Sequence, residues 1–210
     1  MWAPLAAKYD ISETALLCGF ADALPVARAR LGAHLANLPS AGAATRLAIF
    51  PGGNSFQFLP AEFVRHLLQM LGETEYCCYF SPHDDLIPIF QAAGLKCATT
   101  NGMDELLTVL RGCQVCVTAD SFVSHLAQIV CREHVALLSR DLPQHVMHPF
   151  CRSSVVYEHV ECAPCVYLER PKYARCAAGR ETCKVFDLKS YRGEAVRQIG
   201  KALANSNTDF

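Results

Sequence analysis

The chain is expected to fold as an α/β domain, a parallel sheet carrying helices on both faces. Three observations predict this. Short β-branched or apolar runs alternate with helical patterns from Leu47 to Leu138. The connections between them are short, which favours neighbouring parallel strands linked by helical crossovers. The turns that follow the strands carry Pro, Gly, Ser and Asp, at the strand ends where such sheets hold ligands.

The elements justify themselves in order. Leu47-Ala48-Ile49-Phe50 is an apolar run that reads as the first strand, and it ends in Pro51-Gly52-Gly53-Asn54-Ser55. The two glycines let backbone N–H groups approach a ligand, although the turn matches neither G-x-G-x-x-G nor a P-loop, and an ordinary turn is the alternative. Pro60 suits a first helical turn, Phe63, Val64, Leu67, Leu68 and Leu71 fall on one helical face, and Gly72 ends the helix. Tyr76 to Phe80 is a strand, Ser81 to Asp85 a loop, and Leu86 to Ala93 a helix closed by Gly94. Lys96 to Thr99 is a short strand, and Met103 to Leu110 a helix with Leu106, Leu107 and Leu110 inward. Val115 to Thr118 is a buried strand, and Phe122, Val123, Leu126, Ile129 and Val130 recur at helical spacing after it. Val135 to Leu138 and Ser153 to Tyr157 are the last strands, Gly193 to Ala204 a closing helix, and Asn205 to Phe210 a frayed tail.

The flanks differ in character. Residues 1–44 form a helical segment and linker: an apolar-rich stretch begins at Ser12-Glu13-Thr14, Pro25 interrupts it, and Val26 to Leu38 places Val26, Ala29, Ala33 and Leu35-Ala36 on roughly one face. A lid over a sheet edge, an oligomerisation arm and the remnant of a lost neighbouring domain are the three readings of this segment. Residues 45–150 are the α/β core, and residues 151–210 a Cys-rich segment with the closing helix.

Composition bounds the function. The chain has 210 residues, is 51% hydrophobic and carries a formal charge of −1. This describes a globular protein without the basic excess of a nucleic-acid binder. No apolar run reaches the roughly 18 residues of a membrane span. The N-terminal residues lack the basic and apolar regions of a signal peptide, so the 12 cysteines are expected to be reduced thiols or metal ligands in a cytoplasmic protein.

Chemistry concentrates in three loops, 51–57, 81–85 and 118–122. Asp120 or Ser121 is an N-cap candidate for the helix that follows, and the free N–H groups of that helix make an anion site for a phosphate-bearing ligand. His125 stands one turn in; a plain capped helix with a half-buried His is the alternative. Asp84 or Asp85 is placed to accept from ribose hydroxyls, or is simply a solvated acidic helix start. Cys162-x2-Cys165-x10-Cys176-x6-Cys183 is open to three readings. Four thiolates can hold a tetrahedral zinc or iron, or the residues are free thiols, or they pair as disulfides. Cys113-x2-Cys116 is expected to be core, its side chains pointing to opposite sides of a strand.

Taken as a set, Phe50-Pro51-Gly52-Gly53-Asn54-Ser55, Leu59-Pro60-Ala61-Glu62-Phe63, Asp120-Ser121 with His125-Leu126-Ala127, and Cys162-Ala163-Pro164-Cys165 with the later cysteines resemble glycosyltransferase family 9, the heptosyltransferase family. The resemblance covers roughly residues 45–187 and fits the donor-binding second half of that family. It implies a Rossmann-like domain, one half of a GT-B arrangement, that binds a nucleotide-sugar of the ADP-heptose class. By resemblance Gly52, Gly53, Asn54, Ser55 and Gln57 lie near the diphosphate. Asp120, Ser121 and Phe122 face the diphosphate or sugar, with Asp120 as the group positioned beside the reacting sugar. Asp84 lies near ribose, Met103 near the base, and His125 braces the loop. The resemblance implies a lipopolysaccharide-type or protein acceptor. Gln57 stands where many members have Lys or Arg, and Phe122 where many have Gly. The N-terminal segment, residues 1–44, is too short for the family's acceptor half. A second subunit or homo-oligomer is therefore expected to complete the cleft, or the fold serves binding and assembly without catalysis.

Overall fold

The computed structural model describes residues 25–26, 28–38, 45–52, 58–139, 142–148, 151, 153–162 and 179–206. Six strands form one sheet: β1 (Leu47–Phe50), β2 (Tyr76–Phe80), β3 (Cys97–Thr99), β4 (Val115–Thr118), β5 (Glu133–Leu137) and β6 (Ser154–Val156). Their spatial order is β3-β2-β1-β4-β5-β6, and every pairing is parallel. The expected α/β class therefore holds. Central β1 and β4 are buried at every position, as expected of a sheet covered on both faces.

The side-chain alternation of β1 assigns the helices. Leu47 and Ile49 face one layer, made by α2 (Ala61–Leu71), α3 (Leu86–Ala92) and α7 (Lys189–Asn205). Phe63, Val64 and Leu67 of α2 and Phe90 of α3 bury there, with Tyr191, Ala195 and Ile199 of α7. Ala48 and Phe50 face the other layer, where Leu106 and Leu110 of α4 (Met103–Gly112) and Ala127 of α5 (Phe122–Val130) pack. The short α6 (Pro143–Val146) covers Ala136 and Leu138 on that side. The helical spacing read in α2 is the buried face observed, and Gly72, at φ 75°, closes it by donating to the Leu68 carbonyl at 3.1 Å.

The closing helix starts at Lys189, four residues before the expected Gly193. Tyr191 explains the difference. Its ring is fully buried among Phe63 and Phe186, at centroid distances of 5.9 and 5.8 Å, and its hydroxyl donates to the Leu138 carbonyl at 3.0 Å. A buried aromatic of this size contributes on the order of 2–3 kcal/mol, which fixes the first turn of α7 to the sheet. β5 likewise begins at Glu133 rather than Val135. His134 is polar, yet it is buried with both ring nitrogens occupied, 2.9 Å from Thr118 Oγ1 and 2.9 Å from Ser153 Oγ. Burial pushes its pKa down to about 3.

Of the N-terminal segment, residues 25–26 and 28–36 are helical (α1). The expected apolar face is largely turned to solvent, with Val26 52% exposed. Polar contacts tie α1 to α4 instead: His34 Nε2 lies 2.9 Å from Asp104 Oδ1, and Arg111 donates to the Leu35 carbonyl at 2.6 Å. Residues 1–24, the 39–44 linker and the last four residues lie outside the described residues. No helix among the described residues is long and apolar enough to cross a membrane.

Candidate functional site

The strand order reverses direction about β1, which is flanked by β2 and β4. The chain leaving β1 and the chain leaving β4 turn to opposite faces of the sheet, because α2 and α5 lie in different layers. A crevice opens between them at the carboxyl ends of the strands. A cleft of 470 Å³ occupies that place. Phe50 and Gly52 line it from the end of β1, Ser81, Pro82 and Asp84 from the loop after β2, and Thr100, Gly102 and Met103 from the turn into α4. Ser121, Phe122 and Val123 line it from the start of α5.

Each wall has a local cause. Phe50 stacks on Tyr79 with centroids 5.4 Å apart, and the Tyr79 hydroxyl lies 3.0 Å from Thr45 Oγ1. Asp84 Oδ1 accepts from the Leu86 N–H at 2.9 Å and so holds the start of α3, while Oδ2 faces Gly52. Gly102 adopts φ 102°, and the Glu105 carboxylate reaches back to the Asn101 N–H at 2.6 Å, which sets the entry of α4. The Ala119 N–H donates to the Phe50 carbonyl at 3.1 Å, which draws the end of β4 against β1. Ser121 is the N-cap of α5, as the sequence suggested. Its side chain makes no capping bond, although its extended backbone is the usual N-cap conformation. The buried Ser121 Oγ has no hydrogen-bond partner. The Ser124 N–H of the first turn donates to the Ser121 carbonyl at 3.0 Å, and the N–H groups ahead of it have no carbonyl partner within the helix, so the start of α5 brings a positive helix end to the cleft.

Of the expected site residues, Gly52, Asp84, Met103, Ser121 and Phe122 come together in this cleft. Met103 and Phe122 are 46% and 58% exposed, one on each side of the mouth. Asp120 is buried and is not among the lining residues. Gly53, Asn54, Ser55 and Gln57 lie outside the described residues. Among the described lining residues Asp84 is the carboxylate, and none is Lys or Arg. Sequence reading missed Tyr79, Thr100 and Gly102, which sit in strand ends and a turn that carry no charge signal; the glycine before a helix start was the one available cue.

His125 takes a different place. It lines a separate cavity of 180 Å³ with Gln128, Ile129, His148 and Cys151. Gln128 there donates to the Ser124 and Val146 carbonyls at 3.2 and 3.3 Å and accepts from the His148 N–H at 2.6 Å.

The cysteines also redistribute. Cys165 and Cys176 lie outside the described residues. Cys162 is half-buried against the core, and Cys183 is buried with its thiol 3.4 Å from the Ser139 carbonyl. The expectation that Cys113 and Cys116 point to opposite sides of a strand is corrected. Cys113 precedes β4 as the C-cap of α4, so strand alternation does not separate the pair. The sulfurs of Cys113, Cys116 and Cys131 lie within 4.8 Å of one another, a group of metal-binding geometry. Hydrogen bonds from Cys116 and then Cys131 hold Cys113 well below the ordinary thiol range.

No family model matches the chain, and neither does any curated protein. Among solved structures the chain is similar to E. coli ADP-heptose LPS heptosyltransferase II, at 15% identity and a TM-score of 0.56, over 87% of this chain and 53% of that one. It also matches the E. coli heptosyltransferase WaaC solved with ADP, at 20% identity and a TM-score of 0.47, over 58% of this chain and 40% of that one. The fold is thus heptosyltransferase-like, and the chain spans about half the length of the first of these structures.

Proposed function

We propose that this chain is a nucleotide-sugar donor-binding domain of the glycosyltransferase type, corresponding to the donor half of a GT-B arrangement. The observation that carries the reading is the cleft at the strand-order switch point of a heptosyltransferase-like sheet. The α5 start and the Ser121 hydroxyl suit a diphosphate, since backbone N–H groups and a helix dipole neutralise a leaving group without a metal. Gly52, Gly53, Asn54, Ser55 and Gln57 would border the same diphosphate. Asp84 would accept from ribose hydroxyls, and Met103 would lie against the base. Asp120 is the carboxylate proposed to position the sugar, and His125 to brace the loop from behind.

In a complete enzyme the acceptor hydroxyl oxygen attacks the anomeric carbon. The bond from that carbon to the diphosphate oxygen breaks, and the electron pair leaves with the diphosphate. The hydroxyl proton passes to a base supplied outside the described residues, by a second subunit or domain. The name of heptosyltransferase II makes ADP-heptose the first donor to try and a lipopolysaccharide-type acceptor the first partner. A zinc or iron site at Cys162, Cys165, Cys176 and Cys183, and a cytoplasmic location, belong to the same proposal.

Thermal unfolding with ADP, UDP, GDP and their sugar conjugates at about 1 mM tests it. A ligand with a dissociation constant of about 10 µM adds ~2.7 kcal/mol, several degrees in Tm. A shift with one nucleotide is expected; no shift with any of them overturns the reading. The exposed Phe122 at the cleft mouth and the lack of a cation among the described lining residues favour a second reading. In it the fold binds or assembles without turnover, and sugar transfer to an added acceptor separates the two.

A further inference from the structure

A second chemical centre lies at the opposite end of the sheet from the cleft. Cys116 is the second residue of β4, Cys113 precedes that strand, and Cys131 precedes β5, so all three stand at the amino ends of their strands. Cys113 and Cys116 are buried and Cys131 is half-buried. Two helices end here. Cys113 is the C-cap of α4, its N–H on the Val109 carbonyl at 3.0 Å, and Cys131 is the C-cap of α5, its N–H on the Ala127 carbonyl at 3.0 Å. Between them the Leu110 carbonyl lies 3.4 Å from Cys113 Sγ and 3.3 Å from Cys131 Sγ. We propose that Cys113, Cys116 and Cys131 form a structural site for a thiophilic d10 cation, with zinc as its occupant and the Leu110 carbonyl as the oxygen facing the fourth position.

Geometry and charge support this over three unrelated thiols. Ligands at a zinc–sulfur distance of about 2.3 Å in a tetrahedron stand about 3.8 Å apart. The sulfurs, already within 4.8 Å of one another, need close by no more than about 1 Å. A disulfide would use two sulfurs and strand the third in the core. Two helix C-termini carry partial negative charge into the cluster. That charge opposes three bare thiolates and favours a cation held among them. The binding step is Zn²⁺ with three thiols giving a tris-thiolate complex and three released protons, with no electron transferred. Cys131, half-buried where the other two are buried, is the point of entry. The site ties α4, β4 and α5 together behind the cleft, which is a structural rather than a catalytic task.

The test uses the full chain, with Cys165→Ser and Cys176→Ser as background so that the C-terminal cysteines do not bind. Cobalt is the spectroscopic probe and zinc the competitor. One equivalent of cobalt per chain is expected to give a sulfur-to-metal charge-transfer band that zinc bleaches. The band is expected to be lost on adding Cys131→Ser and kept on adding Cys77→Ser. Zinc is also expected to protect Cys131, the half-buried thiol of the three, from a thiol reagent in the native background protein, which reads the site even if Cys131→Ser does not fold. Absence of the band, its survival in a folded Cys131→Ser variant, protection of no thiols, or a disulfide joining two of these cysteines in unreduced protein would each overturn the proposal.

Discussion

A β-carbon added at Gly52 would stand 3.4 Å from Asp84 Oδ2, so the end of β1 and the loop after β2 meet in the cleft with room for a methyl group and little more. The two residues are 32 positions apart by their numbering, and parallel pairing of β1 with β2 brings them together. Gly52→Ala is expected to fold normally, within about 0.5 kcal/mol, because the contact is at ordinary van der Waals distance. Gly52→Val carries its branched carbons into that gap. Calorimetric titration with the nucleotide that stabilises the parent is expected to show affinity falling roughly tenfold or more, with stability nearly kept.

Asp84 divides its carboxylate between two tasks, and two substitutions separate them. Asp84→Ala removes the acceptor that holds the Leu86 N–H and is expected to cost about 1 kcal/mol in urea unfolding. Asp84→Asn keeps an oxygen there and is expected to leave stability near the parent value. Both are expected to weaken binding of a ribonucleotide more than of its 2′-deoxy counterpart. Equal weakening of the two nucleotides would remove Asp84 from the ribose.

Gly102 enters α4 with φ 102°, and nothing lies within 4 Å of a β-carbon built on it. The cost of Gly102→Ala is therefore conformational rather than steric. About 1–2 kcal/mol is expected from the left-handed backbone. Chemical denaturation reads that loss, and a variant as stable as the parent would show that the turn relaxes.

The sequence foretold what periodicity encodes and lost what depends on pairing across the sheet. Phe63, Val64 and Leu67 repeat at helical spacing and proved to be the buried face of α2. The Gly52, Asp84 and Ser121 loops were legible as the loops that line the cleft because the carboxyl end of a parallel strand is a place the sequence can specify. Tyr79 was not, since a residue inside a strand gives no sign that its ring will stack on Phe50. Cys131 was not joined to Cys113 because strand order, not spacing, brings their helices to one corner. His134 was left out of β5 because a polar residue breaks an apolar run. Its two partners, Thr118 and Ser153, belong to other segments 16 and 19 residues away.

His134 makes the stability of the fold depend on pH. Burial holds its pKa at about 3, against 6.5 for a free imidazole, so the folded chain keeps the ring neutral while the unfolded chain protonates it. Between these values the unfolded state binds more protons, so stability rises with pH. Its contribution is fully present above 6.5 and is lost as pH falls toward 3, with a slope of up to about 1.4 kcal/mol per pH unit. Urea unfolding across that window is expected to show the slope. His134→Gln, which keeps one side-chain hydrogen bond and cannot charge, is expected to lose about 1–3 kcal/mol at neutral pH. It is also expected to flatten the dependence. A variant with the parent's slope would place the titration on other groups, of which His148, also shifted down by burial, is the first to examine.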